Sequence, residues 1–370
     1  MHGAVTLPKF IPGLTLNGLF YQEAVRPILD ANFPGLPHAA ALMGYGSDVL
    51  GYDTPMSTDH IWGPRLQLFL DPADHEGHRE ALDLALAGGL PLTFRGYPVN
   101  FSPPDESDRG TQRMEAVEAA PVRHLVEIET VAGYWRRYLG VDPLEELAPV
   151  EWLLLPEQAL LEMTAGQVYH DGLGSLGPAR RAFAYYPRDV WLCRMAAQWA
   201  RIAQEEAFLG RCGDLGDDLG SRIVAARLVR DLMRLAFMLE RRYAPYAKWL
   251  GTSFAQLPAA AALLPLLEAT LAADDWRSRQ QYLAQAYEVV ARLHNDLGVT
   301  PPVDPAVRFY FNRPFLVIFA DRFAAALREA IADAPLRHVA SEIGSVDQFA
   351  DCTDLTENLE LVRRLRILYE

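Results

Sequence analysis

The stretch AAALMGYGS, residues 39–47, sets a short apolar run directly in front of a glycine-rich turn. An apolar run of this length, stopped by glycines, predicts a buried strand over 39–43 that enters a tight turn. The glycines let backbone N–H groups approach an anion closely, Ser47 adds a hydroxyl donor, and a helix starting behind the turn would favour negative charge. The sequence therefore predicts a phosphate-binding turn at Gly46 and Ser47.

Helices and further strands are predicted on both sides of this turn. Residues 16–36 show apolar positions at helical spacing, and residues 75–87 predict a second helix. Alternating apolar positions predict strands over 61–70, 92–101 and 122–130. The first 140 residues are therefore expected to form a mixed sheet with flanking helices.

The pattern changes after Trp135, because most apolar positions beyond it recur with periods near 3.6 residues. These helical stretches are 190–209, 219–243, 263–273, 276–297 and 314–331. Residues 153–186 are interrupted by prolines and glycines and receive no assignment. We predict an α+β protein with two domains, a mixed-sheet domain over 1–140 and a mainly helical domain over 141–370.

Composition narrows the function classes. The 370 residues include 34 Lys and Arg against 48 Asp and Glu, a formal net charge of −14, which disfavours broad attraction to nucleic acid or anionic lipid. The three cysteines have no metal-ligand spacing, so neither a disulfide framework nor a zinc site is expected. The most apolar stretch, 257–273, is interrupted by Pro265 and Glu268 and falls short of a membrane span. We expect a cytoplasmic protein with neither a membrane nor a nucleic acid as partner.

A carboxylate follows the glycine turn at short range. Asp59 lies twelve residues after Ser47, at the expected start of the next strand. A carboxylate at this place could coordinate a Mg²⁺ ion that bridges a bound phosphate. The combination of a phosphate-binding turn and a metal-binding carboxylate predicts nucleotide chemistry.

These residues also carry a family resemblance. Gly46-Ser47 followed by an acidic residue about a dozen positions later resembles the motif of the nucleotidyltransferase superfamily. The wider pattern, Gly-Ser-x-x-Leu-Gly at 46–51 and Asp-His-x-Trp-Gly-Pro-Arg at 59–65, resembles the bacterial family DUF4037, which residues 241–249 and 312–315 also fit. The resemblance implies an N-terminal nucleotidyltransferase-like domain with a helical partner, Mg²⁺, ATP or another NTP as substrate, and a small-molecule acceptor with a hydroxyl group.

The resemblance also implies a set of metal ligands, from which this chain departs. In that superfamily two carboxylates on one strand bind two Mg²⁺ ions, and a third on a neighbouring strand helps to activate the acceptor hydroxyl. Asp59 matches the first carboxylate, but strand alternation places Ile61 where the second would project. Asp48, Asp53 or His60 could take its place.

For the third carboxylate the chain offers a pair of glutamates. Glu127 and Glu129 are two residues apart in the predicted strand 122–130, so both point to one face. Either one could approach Asp59. The alternative is that both simply line the solvated face of an edge strand.

Cations for the phosphate tail come mainly from the helical half. Arg65 is the cation that the mixed-sheet half offers near the turn. Arg241, Arg242 and Lys248 lie beside Pro245, where a break in the helix lets side chains turn into a cleft between the domains. We expect Arg65 and Lys248, together with Arg241 or Arg242, to contact the phosphates.

The helix predicted over 219–243 carries further arginines. These are Arg222, Arg227, Arg230 and Arg234. They could neutralise a triphosphate, or they could be solvated and paired with Asp231 and Glu240.

We predict a Mg²⁺-dependent nucleotidyltransferase that moves a nucleoside monophosphate, AMP from ATP in the first instance, to a hydroxyl of a small molecule. The glycine turn would hold the phosphates, Asp59 the metal, and Glu127 or Glu129 the acceptor proton. The alternatives are a catalytically degenerate nucleotide-binding or partner-binding protein of the same fold, and an antitoxin-like component. Ile61 separates the enzyme from the degenerate protein.

Overall fold

The computed structural model describes residues 9–338 and 343–370 and divides the chain into two compact units. The first unit comprises Met1–Glu146 and Ala159–Ala184, and the second comprises Leu147–Gln158 and Tyr185–Glu370. Residues 159–184 therefore belong to the first unit, although they lie beyond residue 140.

A four-stranded mixed sheet forms the centre of the first unit. The strands of this unit are β1 (Ala39–Leu42), β2 (Arg65–Leu70), β3 (Thr93–Phe94), β4 (Tyr97–Pro98), β5 (Leu125–Thr130) and β6 (Gln167–Asp171). The sheet has the order β5-β2-β1-β6, with β2 parallel to β5 and β1 antiparallel to both β2 and β6. Strands β3 and β4 form a separate two-stranded hairpin.

Helices precede and connect these strands. Up to residue 182 they are α1 (Gly13–Phe20), α2 (Arg26–Asn32), α3 (Pro72–Gly89), α4 (Val131–Tyr138), α5 (Pro149–Leu154), α6 (Glu157–Thr164) and α7 (Leu176–Ala182). A π-helical turn, Tyr21–Val25, joins α1 to α2. The helix predicted over 16–36 is therefore confirmed as one helical segment.

One face of the sheet packs into the hydrophobic core. Leu66, Leu68 and Leu70 alternate along β2 and are buried together with Phe20 of α1 and Leu82 of α3. Burying a leucine side chain stabilises a fold by about 1.5–3 kcal/mol. The period-2 pattern of β2 thus decides which of its faces is the core face.

The opposite face of β2 carries Arg65, Gln67 and Phe69. The parallel register of β2 and β5 places Gln67 directly beside Glu127 on this face. Helix α4 follows β5 without a loop and contacts the same face, since the Tyr134 and Phe69 rings lie 5.4 Å apart. The candidate site lies on this more polar face.

Two strand predictions in the first unit need correction. The strand expected over 92–101 is a tight hairpin instead, because Arg95 and Gly96 both have positive φ, 52° and 87°. Strand β6 has no counterpart in the sequence prediction and pairs with β1.

The second unit is mainly helical, as predicted. Its later elements are α8 (Arg188–Glu205), α9 (Phe208–Asp214), α10 (Asp218–Leu239), α11 (Ala247–Phe254), α12 (Ala260–Ala272), α13 (Trp276–Asp296), β7 (Arg308–Tyr310), β8 (Arg313–Val317), α14 (Asp321–Ala330), α15 (Ala334–His338), α16 (Val346–Phe349), α17 (Thr353–Thr356) and α18 (Leu359–Arg364). The helix expected over 314–331 begins only at Asp321, because residues 313–317 pair with β7.

The structure confirms the α+β class, with a mixed sheet and flanking helices followed by a mainly helical unit. In residues 9–338 and 343–370, no helix reaches both the length and the apolar character that a membrane crossing requires.

Candidate functional site

The turn after β1 closes tightly over two charged side chains. Gly46 has a φ of 141°, and a Cβ added there would lie 2.2 Å from Oδ1 of Asp48 and 2.6 Å from Nη2 of Arg65. Because both contacts are shorter than any real carbon contact, only glycine fits. Tyr45 is 57% exposed and Ser47 is half-buried, so this side of the turn faces solvent.

The helix expected behind the turn is not formed. Residues 47–51 make a turn, and the next helical element is the short 3₁₀ helix Pro55–Asp59. The helix-dipole contribution to phosphate binding is therefore a wrong prediction. An anion at this turn would meet backbone N–H groups and the Ser47 hydroxyl instead.

A buried ion pair lies directly beneath the turn. Nη2 of Arg65 donates to Oδ1 and Oδ2 of Asp48 at 2.8 and 3.0 Å and to the carbonyl of Tyr45 at 3.0 Å. Arg65 is 6% exposed and Asp48 1% exposed. Burial opposes the charge of the guanidinium, but the Asp48 carboxylate outweighs this effect and raises the pKa of Arg65. The pair holds the turn against the sheet and leaves little of Arg65 accessible to a ligand.

The strand beside Glu127 carries no carboxylate. Along β2 the side chains on the face of Glu127 are Arg65, Gln67 and Phe69. The amide oxygen of Gln67 accepts a hydrogen bond from the N–H of Met43 at 3.0 Å and is committed to the backbone after β1. On β2 a buried cation and a hydrogen-bonded amide thus share the sheet face of Glu127.

Asp59 does not begin a strand. It ends the 3₁₀ helix, six residues before β2, and its side chain is 66% exposed. Its carboxylate lies 3.0 Å from Nδ1 of His60, and the hydrogen bond from that ring lowers the pKa of Asp59. The intervening Ile61 has a φ of 41°, which strand geometry does not allow.

The possible substitutes for the second carboxylate are already engaged. Asp48 pairs with Arg65, while Oδ2 of Asp53 accepts hydrogen bonds from the N–H of Gly13 and from Nε1 of Trp62 at 2.7 and 2.9 Å. Within the described ranges, no three or more His, Cys, Asp or Glu side chains are grouped closely enough to hold a metal ion. The metal role of Asp59 stays a prediction.

Glu127 and Glu129 share one face of the edge strand β5, as alternation predicts, and each has a partner. Glu127 is ion-paired with Arg137, and its side chain is 31% exposed. Oε1 of Glu129 accepts a hydrogen bond from the N–H of Thr130 at 2.8 Å and lies 3.9 Å from Nε2 of His75. The two glutamates therefore have separate partners, and their catalytic role stays a prediction.

Sequence reasoning missed Arg137. The Thr130 hydroxyl caps α4 by accepting from the N–H of Gly133 at 2.9 Å, so the helix starts at the end of β5 and brings Arg137 back over Glu127. Its guanidinium lies 5.2 and 5.3 Å from the ring centres of Tyr134 and Tyr138. Burial opposes the charge, but the Glu127 carboxylate outweighs it and raises the pKa of Arg137. The one signal in the sequence was an arginine in the last turn of a helix that follows a strand.

Arg137 belongs to the surroundings of the glycine turn. A Cβ added to Gly44 would lie 2.4 Å from the Tyr134 hydroxyl oxygen and 3.1 Å from that of Tyr138. The two rings on which the Arg137 guanidinium stacks therefore touch the start of the turn. With its side chain 48% exposed, Arg137 is a cation that solvent can reach beside this turn.

The remaining predicted phosphate ligands lie in the second unit. Arg241, Arg242 and Lys248 are all exposed. The Arg241 guanidinium lies 5.0 Å from the ring centre of Trp191, and Nζ of Lys248 lies 4.9 Å from that of Trp249. Their contact with a nucleotide stays a prediction.

Sheet order and turn geometry define an α+β protein with a glycine turn at the end of β1 and a neighbouring strand without carboxylates. Residues 152–250 match the family model DUF4037, described as a domain of unknown function, and the match confirms the resemblance for that segment. A solved structure described as a nucleotidyltransferase-like protein from Exiguobacterium sibiricum 255-15 is similar at 11% identity, over 93% of this chain and 90% of that chain, with a TM-score of 0.35. No curated protein matches the sequence.

Proposed function

We propose that this protein binds a nucleotide through a nucleotidyltransferase-like unit and does not transfer it. The observation that supports this proposal is the identity of the β2 side chains on the sheet face of Glu127, which include Arg65 and Gln67 but no carboxylate. Two-metal transfer needs carboxylates on both sides of the ion pair, to offset charge on the attacking and leaving oxygens. On this face β2 offers a guanidinium and an amide, and neither supplies the negative charge that a pair of metal ions needs.

The residues on this face do not fit a pair of Mg²⁺ ions. Mg²⁺ requires nearly octahedral oxygen ligands, usually with one or two carboxylates free to bind it. Both oxygens of Asp48 accept from Arg65, and Oδ1 also accepts from the N–H of Val49 at 3.1 Å. Glu127 is neutralised by Arg137. We therefore derive no reaction step through Mg²⁺ and propose no acceptor.

The groups that remain suit a phosphate without a metal. Backbone N–H groups of the glycine turn and the Ser47 hydroxyl can donate to phosphate oxygens. Arg137 lies beside the turn, keeps its charge at all accessible pH values and can share its guanidinium between Glu127 and a phosphate. Tyr45, at 57% exposure, offers a ring against which a base can stack.

Thermal shift with ATP, in EDTA and in excess Mg²⁺, tests the proposal. We expect ATP to stabilise the protein in both buffers, with about 2.7 kcal/mol at a ligand concentration near 100 Kd. Arg137→Gln should weaken ATP binding about tenfold or more, because a charge-assisted hydrogen bond contributes roughly 1.5–3 kcal/mol.

Arg136→Gln is the matched control. Arg136 is the preceding residue, is 62% exposed and pairs with Asp142 rather than Glu127. This variant should bind ATP as the wild type does. Stabilisation by ATP that requires Mg²⁺, or that Arg137→Gln leaves unchanged, would contradict the proposal.

A further inference from the structure

A cavity in the second unit is lined by four arginines. Its volume is about 390 Å³, and its walls include Arg201 of α8 and Arg227, Arg230 and Arg234 of α10. The three arginines of α10 lie at i, i+3 and i+7 and so on one face of the helix. The volume falls in the range of small-molecule sites, roughly 300–1,000 Å³.

The charge of this cavity contrasts with that of the chain. Its lining includes three carboxylates, Asp231, Asp347 and Asp351, so four arginines and three aspartates give a formal charge of +1. The whole chain carries −14. The positive excess among these lining side chains favours an anion, whereas the net charge of the whole chain does not.

Three of these arginines lie within ion-pair distance of a carboxylate. Arg227 pairs with Glu205 at 2.6 Å and Arg230 with Asp351 at 2.9 Å, while Nε of Arg201 lies 3.4 Å from Asp231.

Arg234 differs from these three. Its Nη1 donates to the backbone carbonyl of Asp347 at 2.5 Å, and among residues 9–338 and 343–370 no carboxylate lies within 4.0 Å of its guanidinium. Burial and the charge of Arg230 lower its pKa, and the more distant carboxylates of Asp347, Glu157 and Asp231 offset only part of this effect. Arg234 is therefore a half-buried cation whose charge an added anion would balance.

We infer that this cavity binds a small organic phosphate monoester. Guanidinium groups present planar forks that donate paired hydrogen bonds to phosphate oxygens, and a dianion with three free oxygens can accept from more than one fork. Phe349 lines the same cavity and offers an apolar wall to the organic part of the ligand. The cavity is lined by residues of the second unit and the glycine turn belongs to the first, and the inference does not rest on the proposed nucleotide binding at the turn.

Titration calorimetry of the full chain in EDTA tests the inference with two phosphate monoesters, ribose 5-phosphate and AMP. Ribose and adenosine are the uncharged controls. We expect at least one ester to bind with a Kd below about 1 mM and both controls to show no binding. Preference for AMP would identify a nucleotide ligand, and preference for ribose 5-phosphate a sugar phosphate.

Two variants with opposite effects locate the site. Arg234→Met should weaken binding of the preferred ester about tenfold or more, because it removes a charged donor. Asp351→Asn should strengthen it, because Arg230 is released and the lining becomes more positive. Asp351 is exposed, so the second variant keeps the test valid even if Arg234→Met does not fold.

A control separates this site from the rest of the molecule. Arg222→Gln alters α10 outside the cavity, at a residue paired with Asp218. This variant should leave ester binding unchanged. Absence of binding at about 10 mM of both esters, or binding that neither Arg234→Met nor Asp351→Asn alters, would overturn the inference.

Discussion

Replacing Asp48 by asparagine breaks the buried ion pair beneath the glycine turn. The substitution keeps the shape of the side chain but leaves the Arg65 guanidinium, 6% exposed, without a counter-charge. Removing one partner of a buried pair costs about 3–5 kcal/mol, because the other charge stays desolvated. For a unit of about 170 residues, each kcal/mol lowers Tm by roughly 2–4 °C, so we expect a loss of about 10 °C.

Scanning calorimetry measures the loss, and hydrogen exchange of the peptide over residues 65–70 shows that it occurs at β2. Glu23→Gln is the matched control, since it breaks the exposed pair with Arg95, at 2.5 Å, in the same unit. An exposed pair contributes about 0–1 kcal/mol, so this variant should melt close to the wild type. The double variant Asp48→Asn with Arg65→Met should recover part of the loss because no buried charge remains. A loss under about 1 kcal/mol in Asp48→Asn alone would refute the buried pair.

Three further variants test other parts of the structure. Gly46→Ala should destabilise the fold by about 1–3 kcal/mol, because the added Cβ clashes with Asp48. Gly77→Ala in α3 should instead stabilise the fold by up to about 1 kcal/mol, because a Cβ there meets nothing within 4 Å. Urea denaturation of both variants compares the two effects. Burial lowers the pKa of His294 to about 4 from its ordinary 6.5, so that the unfolded chain binds the proton at a higher pH than the folded chain. About 3 kcal/mol of stability should therefore be lost as the pH falls from 6.5 to 4. Urea denaturation at both pH values measures this loss, which should be smaller in His294→Gln. Asp59→Ala should change the stability by less than about 0.5 kcal/mol, because the side chain is exposed, and the thermal shift that ATP induces should be unchanged. Loss of that thermal shift would support a metal-binding role for Asp59.

The order of elements in the first unit could largely be predicted from periodicity. The apolar run 39–43 and the alternation in 122–130 gave β1 and β5 within a few residues, and strand alternation correctly placed Glu127 and Glu129 on one face. The start of β2 was placed too early, at residue 61. Pro64 has no N–H to donate to a ladder and Gly63 has a φ of 139°, so pairing begins at Arg65.

The composition of the candidate site depended on pairing that sequence alone does not contain. Which residue of β2 faces Glu127 follows from the parallel register, and a shift of one residue would have put an apolar side chain there. Strand β6 was missed for a related reason, because its half-buried residues carry no clear alternation and its partner β1 lies more than a hundred residues earlier. Arg137 was overlooked because its closeness to the turn arises from the return of α4 over the sheet.

Pyrophosphate release from ATP in the presence of Mg²⁺ is the most direct test of whether the first unit transfers nucleotides. Wild-type protein, incubated with a panel of hydroxyl-bearing acceptors, should release no pyrophosphate above the background of buffer, because β2 places Arg65 and Gln67, and no carboxylate, on the sheet face of Glu127. Mg²⁺-dependent release that disappears in Glu127→Gln or in Asp59→Ala would contradict this reading and establish a catalytic metal site.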